Sequence, residues 1–251
     1  MSVIMLLHGL PGTGEQWREV AEALAPHRVL APTFDGFGDG WGDGDFPPTS
    51  HHARQIIELA SLEDAQKLVC AAWSFGCHPL LLALSQGLEC RQAILFDPSS
   101  DTYLQPADKQ LFQHDAIAAF GPLFAEMGEA DDRRLAQLSF AATGSPETWD
   151  GLNEVQRQPF IRGAGALRSA FAGDASPEIL TEEMLARISS PVLVASGRKS
   201  RQMFRLAASR LSSLIPGARS VSVEYADHLW PVSSPDFFAS FIKREIGDAR
   251  A

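Results

Sequence analysis

Residues 67–84 read KLVCAAWSFGCHPLLLAL, and the prediction of the fold starts from them. Residues 67–72 form a short apolar run, which is typical of a buried parallel strand. A second apolar run follows at residues 78–84, and the tetrapeptide WSFG joins the two runs. This segment therefore predicts a strand, a sharp turn that carries Ser74, and a helix.

Short apolar runs of the same kind recur along the chain and alternate mostly with stretches of helical spacing. Six predicted strands separated mostly by helices favour an α/β fold with a largely parallel sheet covered on both faces. The predicted strands are residues 3–7, 28–31, 67–72, 92–96, 191–196 and 219–225. The predicted helices include residues 15–24, 50–60, 78–84, 115–127 and 131–141.

The strand pattern stops between residues 99 and 181, and amphipathic helical stretches replace it. The predicted organisation is a core of residues 1–98 and 182–251, interrupted by a helical cap insert at 99–181. Helices inserted after the fourth strand would lie over the carboxyl ends of the strands, where open α/β sheets place their sites. The alternative is a helical elaboration without a role in function.

Composition and charge exclude several classes of partner. The chain has 21 Lys and Arg against 31 Asp and Glu, a net charge of −10, which argues against nucleic acid or an anionic membrane as partner. No apolar run approaches the roughly 18 residues of a membrane-spanning helix. The N-terminal MSVIMLLHGLPG lacks the basic region of a signal peptide, so a cytoplasmic location is expected.

The sequence gives no reason to expect a metal or another cofactor. The three cysteines, Cys70, Cys77 and Cys90, show no metal-ligand spacing and are expected to act as small buried hydrophobic residues. The acidic loop of residues 35–45 does not have the glycine spacing of the twelve-residue calcium loop.

Ser74 lies on the predicted turn with small residues on both sides, at Ala72 and Gly76. A serine on a strained strand-to-helix turn presents its hydroxyl above the sheet, and the positions two before and two after it must be small. Here the chain resembles the α/β-hydrolase superfamily, whose pentapeptide is G-x-S-x-G. Alanine at 72 in place of the first glycine is a mild departure. The resemblance implies that Ser74 is a nucleophile.

A histidine and a glycine, His8 and Gly9, directly follow the first predicted strand. In the family that the chain resembles, such a turn supplies one oxyanion-hole amide, and the residue after the nucleophile supplies the other. The resemblance assigns these amides to Leu10 and Phe75. In the best-studied case one such donor is worth about 3 to 4 kcal/mol. His8 itself is expected to be structural.

The general base of the predicted site is His228, in the segment ADHLWP after the last strand. A neutral imidazole can take the serine proton and return it to the leaving group. The order of Ser74 early in the chain and His228 near its end matches the family order of serine, acid and histidine.

The acid of the predicted triad departs from the commonest family pattern. The family usually carries a G-x-x-D turn after the fifth strand, whereas residues 197–200 read GRKS and place Ser200 at the acid's position. Some members carry the acid after the preceding strand, where this chain has Asp97. Asp97 is therefore the predicted acid, and Ser200→Ala is expected to cost little. Asp101 is the reserve choice, and Asp227 is expected to point away from the imidazole if the local backbone is extended.

Three aromatic residues are predicted to shape the substrate pocket: Trp73, Trp230 and Phe37. The family usually has two strands before the strand that precedes the HG turn. The core is therefore expected to be trimmed at its N-terminus, with residues 28–31 near a sheet edge. An exposed edge invites pairing, so both a monomer and a homodimer are open.

The resemblance implies a serine hydrolase that cleaves a small ester, thioester or lactone through an acyl-serine, without a cofactor. Two alternatives remain open at this point. The same residues could serve a carbon–carbon bond hydrolase or a lyase, or the chain could be a catalytically silent binder of small ligands, because Ser200 replaces the usual acid.

Overall fold

The structure is a computed structural model that describes residues 1–38, 46–172 and 178–247. Within these residues six strands form one sheet in the order β2-β1-β3-β4-β5-β6, and every neighbouring pair is parallel. The strands are β1 (Val3–Leu7), β2 (Arg28–Leu30), β3 (Leu68–Trp73), β4 (Gln92–Phe96), β5 (Val192–Gly197) and β6 (Arg219–Val223). The strand order reverses between β1 and β3, and this switch point is where such sheets open a crevice for ligands.

Helices connect the strands, and among the described residues two of them follow directly on a short 3-10 turn. One such turn, Gly14–Trp17, precedes α1, and another, Ser74–Gly76, precedes α3. The helices are α1 (Arg18–Ala23), α2 (Thr49–Ala60), α3 (Cys77–Ser85), α4 (Pro106–Glu126), α5 (Asp132–Thr143), α6 (Pro146–Gly151), α7 (Glu154–Gly163), α8 (Gly165–Ala172), α9 (Glu182–Ala186), α10 (Gln202–Leu214), α11 (Trp230–Ser233) and α12 (Pro235–Glu245).

The central strands are apolar along their whole length because both faces of the sheet are covered. All six residues of β3 are buried. Met5 and Leu7 face a core formed with α2, α3 and α10, whereas Ile4 and Leu6 face a core formed with α1 and α12. Because side chains alternate between the two faces along a strand, each central strand contributes residues to two separate cores. The predicted α/β fold with helices on both faces of a parallel sheet is confirmed.

Between β4 and β5 the described residues form helices joined by short non-helical stretches, and they pack on the core at several points. α4 contacts α10, and α7 contacts the turn that precedes α1. α4 begins at Pro106, ahead of the predicted residue 115. Residues 106–111 carry no buried side chain, so no apolar stripe marks the first turns of this helix in the sequence.

The remaining predicted elements are observed with small shifts at their ends. The predicted helix 15–24 begins instead as the 3-10 turn at Gly14, where the carbonyl oxygen of Ala31 leaves no room for a side chain. β2 lies at the edge of the sheet, as predicted. The end of the acidic loop, residues 39–45, lies outside the described residues. None of the described helices combines the length and apolar character needed to cross a membrane.

Candidate active site

Ser74 occupies the sharp turn between β3 and α3. Its φ of 54° lies in the left-handed region, which is strained for a serine and is held here by the packing around it. A Cβ on Gly76 would lie 2.7 Å from the carbonyl oxygen of His8, and a Cβ on Gly9 would lie 3.2 Å from the Ser74 Cβ. The absence of side chains at Gly9 and Gly76 therefore lets the turn after β1 reach the serine.

Three side chains from three different strand ends form a continuous series of hydrogen bonds. The Ser74 Oγ lies 3.1 Å from the His228 Nε2, and the His228 Nδ1 lies 3.1 Å from the Asp97 Oδ2. Ser74 follows β3, Asp97 follows β4, and His228 follows β6 by a short loop. All three residues are buried. The arrangement places an imidazole between a hydroxyl and a carboxylate, with one ring nitrogen facing each.

Asp97 is fully buried and has two hydrogen-bond partners besides the imidazole. The Gly197 amide donates to its Oδ1 at 3.1 Å, and the Ser200 hydroxyl donates to its Oδ2 at 2.5 Å. The φ of Asp97 is 48°, a conformation that aspartate tolerates better than most residues. A buried carboxylate needs such donors, because burial without them penalises its charge.

The His228 ring is held by its neighbours as well as by its hydrogen bonds. The Phe204 ring stacks on it with a centroid separation of 3.7 Å and an interplanar angle of 7°. The Trp73 indole N–H donates to the His228 carbonyl oxygen at 2.8 Å. The stacked Phe204 ring restricts the orientation of the imidazole, and the bond from Trp73 fixes the backbone that carries it.

His8 fixes the turn that approaches the serine and carries no positive charge. The Phe34 amide donates to its Nε2 at 3.0 Å, so the Nδ1 bears the proton and donates to the Gly9 carbonyl oxygen at 3.0 Å. Burial lowers the pKa of His8 from 6.5 to about 4, against the opposing effect of the bond to Gly9. The expectation that His8 is structural agrees with these contacts.

A narrow pocket, here called the site pocket, lies beside His228. It encloses about 240 Å³ of space between atoms, part of it open to solvent. Among the described residues that line it, only His228 has an ionisable side chain. The hydroxyls of Ser139 and Thr143 donate to carbonyl groups of their own helix. The site pocket is lined by Gly9, Leu10, Pro11, Gly12, Trp73, Ser139, Phe140, Thr143, Phe160, His228 and Leu229.

The aromatic residues predicted to shape the pocket have different surroundings. Trp73 lines the site pocket. Phe37 packs against Phe75 with a centroid separation of 5.3 Å and also contacts His8, and it is not among the residues that line the site pocket. Trp230 is not among the residues that line the site pocket, because its ring is enclosed in the core by Phe96, Phe238 and Phe241.

The other candidate groups have partners away from the imidazole. Asp101, the reserve acid, accepts from Gln113 at 2.9 Å, and Asp227 accepts from the Leu229 amide at 3.0 Å. Burial and the nearby Asp97 carboxylate raise the pKa of the Cys77 thiol well above its ordinary value. A thiol held protonated in this way is a poor nucleophile.

Two groups of site residues were not predicted from the sequence. Phe204 lies in α10 with the apolar spacing of any packed helix, and nothing in that spacing marks it as the neighbour of the imidazole. The second group lies in the segment between β4 and β5 and consists of Ser139, Phe140, Thr143 and Phe160. The apolar stripes of these helices predict a buried face but do not indicate which surface that face covers. A hydrogen-bonding role of Ser200 could have been suspected from its position at the end of the fifth strand.

Comparisons with known proteins identify the family and the fold. The model of the alpha/beta hydrolase family matches residues 4–241. Over 247 residues the chain is 25% identical to a pimeloyl-acyl-carrier-protein methyl ester esterase of Aeromonas hydrophila, covering 97% of this chain and 95% of that protein. A protein of the same name from Vibrio vulnificus is 23% identical over 241 residues, covering 94% and 90%.

Solved structures of similar fold include two esterases. An esterase from Rhodococcus sp. superposes with a TM-score of 0.71 at 18% identity, covering 98% of this chain and 90% of that one. A carboxylesterase from Bacillus subtilis gives a TM-score of 0.69 at 18% identity, covering 99% and 85%. At this level of identity the likeness shows the shared fold.

Proposed function

The chain belongs to the alpha/beta hydrolase family, and from this premise we propose that it is a serine hydrolase that cleaves a small ester through an acyl-serine intermediate. The observation that carries the proposal is the series of hydrogen bonds from Ser74 through His228 to Asp97. A neutral imidazole in this position accepts a proton at one nitrogen while a carboxylate holds the other. The names of the curated relatives support an ester as the substrate class.

In the proposed reaction the Ser74 Oγ attacks the ester carbonyl carbon while its proton passes to the His228 Nε2. Asp97 holds the Nδ1–H and stabilises the imidazolium by its charge. The amides of Leu10 and Phe75 donate to the oxyanion. The imidazolium returns its proton to the alcohol oxygen as the ester bond breaks, and a water molecule then hydrolyses the acyl-serine by the same steps.

The segment between β4 and β5 acts as a cap over this site. A Cβ on Gly144, at the end of α5, would lie 2.6 Å from a methyl carbon of Leu229, the residue after the proposed base. A Cβ on Gly163, at the end of α7, would lie 2.9 Å from the carbonyl oxygen of Gly12. Such direct contacts explain how residues of α5 and α7 come to line the site pocket.

The lining of the site pocket indicates the kind of ester. A pocket without charged side chains other than His228 favours a small, neutral group over an ionised one, because a buried charge without a partner is penalised. Short-chain methyl esters are the first substrates to test, since the curated relatives are named for methyl ester cleavage.

The proposal is tested by intact-mass spectrometry after exposure to a fluorophosphonate probe. We expect one adduct on the wild-type chain and none on Ser74→Ala. Asp97→Asn should label far more slowly and lose several orders of magnitude in turnover, about 10⁴ in the best-studied triad. Asp101→Asn is the matched control, because its carboxylate faces Gln113 and Lys109 on α4, and we expect it to label at the wild-type rate.

Intact-mass spectrometry, with the probe and with an ester, also separates the alternative functions. An acyl adduct trapped on Ser74 by acid quenching during ester turnover would exclude a lyase that uses the serine for proton transfer only. A folded wild-type chain without any adduct would favour a silent binder. Adduct formation on Ser74→Ala would show that the nucleophile is another residue.

A further inference from the structure

Ser200 and Asp97 occupy neighbouring strand ends, and their side chains meet. The commonest members of the family carry the acid after the fifth strand, whereas this chain has Ser200 there and the carboxylate one strand away. The two side chains are joined by a hydrogen bond of 2.5 Å from the Ser200 Oγ to the Asp97 Oδ2. Ser200 is 4% exposed and Asp97 is 0% exposed, so no bulk water competes for this bond.

The oxygen that accepts from Ser200 is the same oxygen that faces His228. The Asp97 Oδ2 lies 3.1 Å from the His228 Nδ1, and the other oxygen accepts from the Gly197 amide. With donors on both oxygens the carboxylate plane cannot turn about its χ2 axis without breaking a buried hydrogen bond. Breaking one leaves a charged group partly unsatisfied, which is costly in a buried site.

The turn that carries Ser200 is itself fastened to the strand and loop that lead to His228. The Arg198 amide donates to the Val223 carbonyl oxygen at 2.9 Å, and the Lys199 amide donates to that of Ala226 at 3.0 Å. A Cβ on Gly197 would lie 2.5 Å from the Ser200 Oγ, so the hydroxyl fills a space that the glycine leaves. Ser200 therefore presents its hydroxyl from a backbone tied to the loop of the base.

We propose that Ser200 is a positioning residue, which holds the Asp97 carboxylate against the His228 Nδ1; this inference rests on the proposed function. Ser200 takes no proton and contacts no substrate. Its hydroxyl is one of the donors that hold the Asp97 carboxylate, together with the Gly197 amide and the His228 Nδ1–H. The expectation from sequence alone, that Ser200→Ala costs little, is revised by this hydrogen bond.

The test compares Ser200→Ala with Ser200→Thr, which keeps the hydroxyl, and with Ser190→Ala. Ser190 is a matched control because it is a buried serine that precedes β5, at the opposite end of the strand, and its Oγ accepts from the Cys90 amide. Active sites are counted with the fluorophosphonate probe, and kcat is expressed per labelled Ser74. We expect Ser200→Ala to lower kcat about tenfold with KM within twofold, as loss of one charged hydrogen bond predicts.

We expect Ser200→Thr to recover most of the loss, and Ser190→Ala to keep the wild-type kcat. In an Asp97→Asn background Ser200→Ala should change kcat less than twofold, because Ser200 acts through the carboxylate. A kcat within twofold of wild type in Ser200→Ala, or a loss that adds in full to that of Asp97→Asn, would overturn the positioning role while Ser74 still labels. A wild-type chain that does not label at Ser74 would overturn the proposed function as well.

Discussion

Because Gly76 has no side chain, the turn that carries Ser74 can pack closely against β1 and the turn that follows β1. A Cβ there would lie 2.7 Å from the His8 carbonyl oxygen and 2.9 Å from that of Leu7. Both neighbours are backbone atoms of β1 and the turn after it, so they cannot move aside as a flexible side chain would. The residue two positions after Ser74 must therefore be small because β1 packs closely against the start of α3.

We predict that Gly76→Ala destabilises the chain by about 1 to 3 kcal/mol, in the range of overpacking in a dense interior. Gly121→Ala is the matched control: Gly121 lies within α4, and a Cβ there would meet no atom within 4 Å. The control should be neutral or stabilising by about 0.5 to 1 kcal/mol, since alanine favours a helix. Urea unfolding measures both, and equal stability of the two variants would contradict the close approach at Gly76.

Ser74, His228 and Asp97 could be proposed because the residues around them resemble the motifs of the α/β-hydrolase family. Each also follows a predicted strand, and the carboxyl ends of parallel strands meet at one edge. Whether they act as a triad stays a prediction until the labelling experiment is done. The stacking of Phe204 on His228 could not be predicted from the sequence. Apolar spacing tells which face of a helix is buried, and it does not tell which partner that face meets.

The sheet was predictable from the sequence, whereas the packing of the helices between β4 and β5 was not. Strands such as β3 are apolar at consecutive positions, and this signal survives in the sequence whatever their neighbours are. The approach of α5 and α7 to the site depends on single residues, Gly144 and Gly163, that carry no periodic signal. The predicted boundaries of the insert, 99–181, likewise stay a prediction.

Helix α7 contributes the wall that we expect to set the length of the substrate. Phe160 lines the site pocket and also an outer groove of about 450 Å³ between α7 and the segment around Pro231. Its ring is 3% exposed and packs edge-on against Phe140 at 4.8 Å. Because one side chain borders both spaces, a smaller residue at 160 would join them.

We predict that Phe160→Val shifts the preference among acyl chains. The ratio of kcat/KM for octanoyl over acetyl p-nitrophenyl esters should rise about tenfold or more, since each accommodated methylene contributes to transition-state binding. Phe171→Val is the control, because Phe171 belongs to the same group of helices but is 41% exposed. An unchanged ratio in a folded Phe160→Val variant would show that the groove and the site pocket remain separate.

Buried histidines make the stability of the protein depend on pH. Burial lowers the pKa of His8, His52 and His78, and for His8 the pKa falls from 6.5 to about 4. As the pH falls, such a group binds its proton at a higher pH in the unfolded chain than in the folded chain. Its contribution to stability is therefore fully present above pH 6.5 and is lost as the pH falls from 6.5 towards 4. The net charge of −10 at pH 7 acts in the opposite direction, because self-repulsion declines as the pH approaches the pI.

These two effects are separated by removing one titrating group at a time. We predict that between pH 7.5 and 5.5 the wild-type chain loses about 1.3 kcal/mol more unfolding free energy than His8→Gln does, as linkage requires for a pKa lowered to about 4. The exposed His114 gives the control His114→Gln, which should follow the wild-type pH dependence. The protonation state of His8 can also be checked directly by nuclear magnetic resonance of the imidazole nitrogens. A doubly protonated His8 ring in the folded chain at pH 5.5 would contradict the hydrogen bond from the Phe34 amide to its Nε2.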